Sequence, residues 1–184
     1  MPLQRVRQRA KVFASFFKKQ RFFWWRPPFY ANWCTALTPV EDAMPGGRTI
    51  HASAAARDGA GILLLGPPGA GKSDLVLRLI DIGFSLIADD QVLIHGHHAS
   101  PPPALEGLLE VRGLGIVRLP HVTADLVLAI RLEPGERLPE PARVTDLDLP
   151  LINLDPAAAS APLRVAMALD CLQGKLPMHA GAFS

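Results

Sequence analysis

Residues 66–73, with the sequence GPPGAGKS, constrain the fold of this chain more than any other segment. They fit the pattern G-x-x-x-x-G-K-[ST] at every fixed position, which is typical of a phosphate-binding P-loop. Glycines let the backbone turn so that successive N–H groups point at phosphate oxygens, and the helix that follows adds the positive end of its dipole. The residues predicted to bind a nucleotide are therefore Gly66, Pro67, Pro68, Gly69, Ala70, Gly71, Lys72 and Ser73.

The segments around this loop predict the fold class. The short apolar run 61–65 predicts a buried strand, and the apolar spacing of residues 72–82 predicts a helix. With a second strand at 85–88, this order forms a βα unit, so we predict an α/β, P-loop NTPase-like domain with a mixed, largely parallel central sheet flanked by helices. Further strands are predicted at 48–56, 91–95, 108–111, 124–132 and 147–154, and a helix at 162–172.

Two adjacent acids follow the second predicted strand. Asp89 and Asp90 stand where the carboxyl end of a parallel strand faces the ligand crevice. One carboxylate there can hold Mg²⁺, directly or through water, and the other can act as a base toward a hydroxyl. The pair could also be a turn or cap pair, and His51 and Glu110, taken alone, are each more often structural than catalytic.

The first 43 residues differ in composition from the rest of the chain. They carry eight Lys and Arg against two acids, a net charge of +6, whereas residues 44–184 carry eleven against fifteen, a net −4. Ten of the twelve aromatic residues also lie in this segment. It could be a membrane-surface arm, a targeting peptide or a non-native extension before a start at Met44, and we favour the last of these. The predicted organisation is thus an extension at 1–43, a catalytic domain at 44–176 and a flexible tail at 177–184.

Other features restrict the class of protein. No apolar run approaches the roughly 20 residues that a membrane span needs, and no nucleic-acid reader module follows the basic segment. The two cysteines, Cys34 and Cys171, are far apart and lack metal-ligand spacing, which favours reduced thiols in a cytoplasm. We therefore expect a cytoplasmic protein with no membrane span and no nucleic-acid partner.

Four features occur together and in a fixed order along the chain: His51, the P-loop, the run LIADD at 86–90 and the run LEVRGLGI at 109–116. In this combination the chain resembles the C-terminal catalytic domain of HPr kinase/phosphorylase, in the short proteobacterial form without the usual N-terminal domain. The resemblance covers residues 49–176. It implies a fold of the HPr kinase and PEP carboxykinase type, and assembly into hexamers.

The resemblance also implies an activity and a set of roles. The family uses ATP and Mg²⁺ to phosphorylate a serine of the phosphocarrier HPr, and it phosphorolyses phosphoserine-HPr with phosphate to give pyrophosphate. Carried over, His51 and Lys72 lie at the phosphates, Ser73 and Glu110 ligate Mg²⁺, Asp90 is the base and Asp89 supports the metal or its water. The partner would be an HPr-like phosphocarrier, and the role would be regulation of the phosphotransferase system and of carbon and nitrogen metabolism.

The chain departs from the family pattern in two places. Residues 154–159 read LDPAAA where the family carries a Pro-Gly-Arg-Asn segment with a catalytic arginine, and Ala52 replaces the glycine after the histidine. Kinase activity is therefore the better supported direction. A nucleotide-binding regulatory module and a small-molecule kinase on the same scaffold are the alternative interpretations.

Overall fold

The computed structural model describes residues 47–184. The predicted extension at 1–43, and with it the proposed start at Met44, lies outside the described residues. Within them the elements are β1 (Arg48–Ile50), β2 (Ser53–Arg57), β3 (Ala60–Leu65), α1 (Lys72–Asp81), β4 (Ser85–Ala88), β5 (Val92–His95), β6 (His98–Ser100), a short 3-10 turn (Pro103–Leu105), β7 (Leu108–Val111), β8 (Gly115–Arg118), β9 (Ala124–Arg131), β10 (Ala142–Val144), β11 (Leu149–Asn153) and α2 (Ala161–Leu172). Neither helix of residues 47–184 has the length and hydrophobicity that a membrane-spanning helix requires.

One mixed sheet of nine strands organises the domain. Its main path runs β1-β5-β6-β9-β3-β2-β4, and β11 joins beside the second half of β9 with β10 at its outer edge. Only the β3–β9 and β9–β11 pairs are parallel, while the six other pairs of this sheet are antiparallel. The α/β class is confirmed, but the prediction of a largely parallel sheet is wrong, because short hairpin connections such as Asp58-Gly59 can join only antiparallel strands.

The βα unit around the P-loop has the predicted order, with one strand inserted. Strand β2 pairs antiparallel with both β3 and β4, so β3 and β4 run in the same direction on either side of it. The loops that follow β3 and β4 therefore open at the same edge of the sheet. This geometry brings the P-loop and the acid pair together, although their strands are not neighbours.

The core forms two layers, one on each face of the sheet. Alternate residues of β3 divide between them, because side chains of a strand point to opposite faces: Ile62 and Leu64 join one layer and Leu63 the other. Both α1 and α2 contribute to the first layer, whereas the second contains residues of strands and loops only. Within residues 47–184 the helices thus cover one face, and the predicted flanking by helices holds for that face alone.

The chain end also meets the first core layer. Residues 177–184, for which the sequence predicts a flexible tail, include Ala182, which is 8% exposed, and Phe183, which packs against that layer.

Strands β7 and β8 form a separate two-stranded sheet beside the main one. Gly107 begins this hairpin with a φ of +69°, and its carbonyl accepts a hydrogen bond of 2.8 Å from the N–H of Leu119. A Cβ atom on Gly107 would overlap the backbone carbonyl oxygen of Leu119. Both the left-handed backbone and the close approach of two chain segments therefore require glycine at this position.

Gly107→Ala is expected to lower the free energy of unfolding by more than about 1 kcal/mol, because it adds a steric overlap to the cost of a positive φ. Gly113→Ala is the matched control, since Gly113 also has a positive φ, of +82°, but has open space where a Cβ would lie. Urea denaturation of both variants measures the difference. Equal losses of stability would contradict the close packing at Gly107.

Candidate active site

The P-loop at residues 66–73 connects β3 to α1 as the sequence predicts, and it contains all eight predicted nucleotide-binding residues. Gly69 and Gly71 have φ values of +81° and +91°, a conformation that side chains disfavour. The N–H of Ala70 donates to the carbonyl of Pro67 at 3.1 Å, which closes a tight turn. Gly71 directly precedes α1, so the loop leads into the positive end of the helix dipole.

Lys72 folds back over this loop. Its Nζ donates hydrogen bonds to the carbonyl oxygens of Gly66 at 2.9 Å and Pro67 at 3.1 Å. The residue is only 5% exposed, and burial lowers the pKa of the ammonium group, although the charges of Asp90 and Asp89 oppose that shift. The ammonium group is therefore held within the loop that is predicted to receive phosphate.

Asp89 is buried at the edge where β4 ends, with 1% of its surface exposed. Its Oδ1 accepts hydrogen bonds from Ser53 Oγ at 2.6 Å and from Ser73 Oγ at 3.0 Å. Its Oδ2 accepts one from the backbone N–H of Glu110 at 3.3 Å. The carboxylate thus joins β2, α1 and β7, and it touches the P-loop serine directly.

Asp90 occupies a tight turn immediately after Asp89. Its φ is +65°, an uncommon value for a residue other than glycine, and the N–H of Gln91 donates to the carbonyl of Asp89 at 2.8 Å across the turn. Burial raises the pKa of the Asp90 carboxyl to about 6, and the charge of Asp89 adds to that rise, while Lys72 opposes it. A carboxyl group with such a pKa can accept and release a proton near neutral pH.

His51 connects the lysine to this turn. Its Nε2 lies 3.2 Å from Lys72 Nζ, and its Nδ1 lies 3.0 Å from the carbonyl oxygen of Asp90. Because the ammonium group can only donate, Nε2 accepts, and the proton of a neutral ring is then on Nδ1, which donates to Asp90. Burial, followed by the charge of Lys72, lowers the pKa of His51, which favours this neutral ring.

Glu110 lies on β7 next to the acid pair. Burial and the charge of Asp89 raise the pKa of its carboxyl group, and Arg112 opposes that shift. Among residues 47–184 no cluster of three or more His, Cys, Asp or Glu side chains could hold a metal ion by itself. The oxygen donors of Ser73, Asp89 and Glu110 instead fit Mg²⁺, which usually binds through one or two carboxylates together with phosphate oxygens.

The structure thus brings all the predicted site residues to one edge of the sheet. It also adds Ser53, which the sequence analysis missed. This serine is fully buried and donates to Asp89, and it is the polar exception in the run SAAA of β2. A hydroxyl in an otherwise alanine-only buried segment is the signal that could have identified it.

The loop after β11, where the family arginine is absent, lies against the P-loop. A Cβ on Gly71 would be 3.5 Å from Pro156 Cβ. The guanidinium group of Arg78 donates to the carbonyls of Pro156 and Ala158 and so holds this loop on α1.

Comparisons with known proteins agree with this arrangement. Residues 44–124 match the family described as HPr Serine kinase C-terminal domain. The HPr kinase/phosphorylase of Geobacillus thermodenitrificans is 33% identical in an alignment of 118 residues, and the match covers 52% of this chain and 38% of that protein. The HPr kinase/phosphorylase of Xylella fastidiosa strain M12 is 34% identical in an alignment of 119 residues, and the match covers 51% of this chain and 38% of that protein.

A solved structure, that of the Hpr(Ser) kinase/phosphatase from Coxiella burnetii, matches with a TM-score of 0.57 and 25% identity, covering 70% of this chain and 92% of that one. The resemblance to the C-terminal domain of HPr kinase/phosphorylase is confirmed by these matches. The chain spans less than two fifths of the length of the curated relatives described above.

Asp90→Asn is expected to stabilise the nucleotide-free protein at pH 8 by on the order of 1 kcal/mol, a value reduced for solvent screening of a partly exposed group. The pKa of Asp90 is about 6 in the folded protein against 3.8 when unfolded, so the destabilisation grows as the pH rises from about 4 to about 6 and is complete above that. Below about pH 4 both states are protonated, and the advantage of the variant should disappear. Urea denaturation at pH 8 and pH 3.5 measures the difference, and a gain independent of pH would contradict this electrostatic origin.

Proposed function

We propose that this chain, which is similar to the C-terminal domain of HPr kinase/phosphorylases, is a Mg-ATP-dependent protein serine kinase that phosphorylates an HPr-type phosphocarrier. The observation that carries the proposal is the hydrogen-bonded path from Lys72 through His51 to Asp90. It holds a cation suited to the phosphates beside a carboxyl group whose pKa is about 6. The phosphate to be transferred and the hydroxyl that accepts it would then lie together at one edge of the sheet.

In the kinase direction, Asp90 would act as the base. Its carboxylate takes the proton of the acceptor serine hydroxyl while the serine oxygen bonds to the γ-phosphorus and the bond from that phosphorus to the β–γ bridging oxygen breaks. ADP leaves with the electron pair of that bond. Lys72 and the loop N–H groups neutralise charge on the phosphates, and neutral His51 orients Lys72 by accepting its hydrogen bond.

The metal would be held mainly by Ser73 and Glu110, with Asp89 supporting Ser73 from the protein side. Bound with the nucleotide, Mg²⁺ would neutralise the negative charge of the phosphates. The carboxylate of Asp89 accepts the hydrogen of the Ser73 hydroxyl, which leaves the lone pairs of Ser73 Oγ free to face a cation.

The β7–β8 hairpin favours a protein acceptor over a small molecule. Leu114 at its tip is 74% exposed, and Ile116 is 50% exposed. Ile116 is the direct cross-strand partner of Glu110, so the two side chains share the face that points away from the core. Exposed apolar side chains beside a site acid provide a surface on which a folded partner can dock.

The reverse reaction uses the same groups. Phosphate would attack phosphoserine in place of serine attacking ATP, and Asp90 in its acid form would return the proton to the serine oxygen as pyrophosphate forms. Since residues 154–159 contain no arginine, we propose that the kinase direction dominates. We further propose that the protein acts in a bacterial cytoplasm to regulate the phosphotransferase system, and that it assembles into hexamers.

Asp90→Asn should reduce phosphorylation of HPr by about 10²- to 10⁴-fold, because the amide cannot accept the serine proton. Affinity for Mg-ATP should stay within a few-fold of the parent chain. Mass spectrometry of HPr after incubation with ATP measures the phosphoserine formed. Asp146→Asn is the matched control, since this exposed acid lies in the β10–β11 turn.

Three outcomes of that assay separate the alternatives. Nucleotide binding without phosphorylation of HPr by the parent chain would contradict the kinase and favour a regulatory module. Transfer to a small hydroxyl compound, with HPr unmodified, would favour a small-molecule kinase. Equal activity of Asp90→Asn and the parent chain would show that Asp90 is not the base.

Leu114→Ser should raise the KM for HPr about tenfold and leave the KM for ATP unchanged, because it removes apolar surface from the proposed docking face only. Leu138→Ser is the control, since Leu138 is 69% exposed in the loop before β10. Steady-state kinetics with each substrate varied in turn give both constants. An unchanged KM for HPr would mean that the hairpin does not contact the phosphocarrier.

A further inference from the structure

The inserted strand β2 places one hydroxyl group between the strand that leads to the P-loop and the strand that leads to the acid pair. Ser53 begins this strand and is paired with Leu64 of β3, while the next residue, Ala54, is paired with Ala88 of β4. Its side chain is fully buried, and Oγ donates to Asp89 Oδ1 at 2.6 Å. The three residues that follow are all alanine, so Ser53 supplies the strand's only side-chain donor at this end.

Asp89 Oδ1 is shared by two hydroxyl groups, those of Ser53 and Ser73. A carboxylate oxygen has two lone pairs, and these two donors occupy them. The shorter bond is the one from Ser53, which is a fixed part of the sheet, whereas Ser73 belongs to the nucleotide-binding loop. The rotation of the carboxylate is thus set from the sheet side before any ligand arrives.

We propose that Ser53 is a positioning residue, which fixes the Asp89 carboxylate so that Ser73 gives its only hydroxyl hydrogen to Asp89 and turns its lone pairs toward Mg²⁺. The inference deepens the proposed function and rests on it. Ser53 touches neither nucleotide nor metal in this account. It acts through Asp89, as groups behind a metal ligand commonly do, and their loss typically weakens metal affinity 10- to 100-fold.

Removal of the Ser53 hydroxyl would leave one lone pair of a buried carboxylate oxygen without its donor. A buried acceptor that has lost its donor rotates toward another one, which turns Oδ1 away from its bond to Ser73. A carboxylate turned that way would no longer hold the Ser73 hydroxyl in place. We therefore expect weaker Mg²⁺-dependent nucleotide binding, with the phosphate contacts of the loop itself unchanged.

The test measures ATP affinity by calorimetry with Mg²⁺ and with EDTA, for the parent chain and three variants at Ser53. Ser53→Ala should lose about tenfold or more of the affinity gained from Mg²⁺, with metal-free ATP binding within twofold of the parent. Ser53→Cys keeps the shape but is a weaker donor, and it should lose an intermediate amount, which provides a second measurement should the alanine variant fold poorly. Ser53→Thr keeps the hydroxyl and should restore the gain.

A double-mutant cycle tests whether Ser53 acts through Asp89. If it does, Ser53→Ala combined with Asp89→Asn should lose little more of the Mg²⁺ gain than Asp89→Asn alone. Ser85→Ala, which removes an exposed hydroxyl from β4, is the matched control and should bind like the parent.

The outcomes distinguish this inference from the proposed function. A Ser53→Ala variant that keeps the full Mg²⁺ gain, or that loses metal-free and Mg-dependent binding equally, overturns the positioning role while the kinase proposal stands. A lower melting temperature of Ser53→Ala, with an unchanged increase of ATP affinity on adding Mg²⁺, would mean that Ser53 contributes only to stability and would also overturn the positioning role. A parent chain that binds no nucleotide overturns both proposals.

Discussion

The carboxylate of Asp89 joins three segments that are distant in sequence. Strand β2, the start of α1 and strand β7 each send it one donor, through Ser53, Ser73 and the backbone N–H of Glu110. An ionised carboxylate that is almost fully buried is costly unless its oxygens are hydrogen-bonded, so each of these donors offsets part of a large desolvation cost. The position of the P-loop relative to the β7–β8 hairpin therefore depends on whether the Asp89 carboxylate keeps these three hydrogen bonds.

The neighbouring Asp90, in contrast, lowers the stability of the fold. Its backbone is held at a positive φ, and burial beside Asp89 raises the pKa of its carboxyl group, so both features destabilise the fold. Such strain persists only where the surroundings fix it, and here the hydrogen bond from His51 to the Asp90 carbonyl does so. One acid of the pair stabilises the site, and the other is kept reactive by the same environment, as is common where function and stability conflict.

The sequence correctly predicted those elements of the domain that are determined by residue patterns over a few positions. The P-loop, α1 and β4 were correct because glycine spacing and apolar periodicity act over a few residues. The prediction of a largely parallel sheet was wrong, since the insertion of β2 between β3 and β4 depends on pairing across the whole sheet. Strands β6, β8 and β10 were missed because each is short and sits beside glycine or proline-rich loops. Ser53 escaped notice for a related reason: its importance lies in a partner 36 residues away.

The position of Lys72 connects this architecture to ligand binding. Its ammonium group donates hydrogen bonds to two neutral carbonyl oxygens of the loop. Phosphate oxygens carry negative charge and are stronger acceptors, so exchanging the carbonyls for phosphates is favourable for a cation in a desolvated position. His51 bonds to Lys72 and to the Asp90 turn at once, and burial lowers the pKa of its ring, which favours the neutral form that does not repel the ammonium group. A nucleotide bound at the loop would thereby be linked, through a single imidazole, to the turn that carries the proposed base.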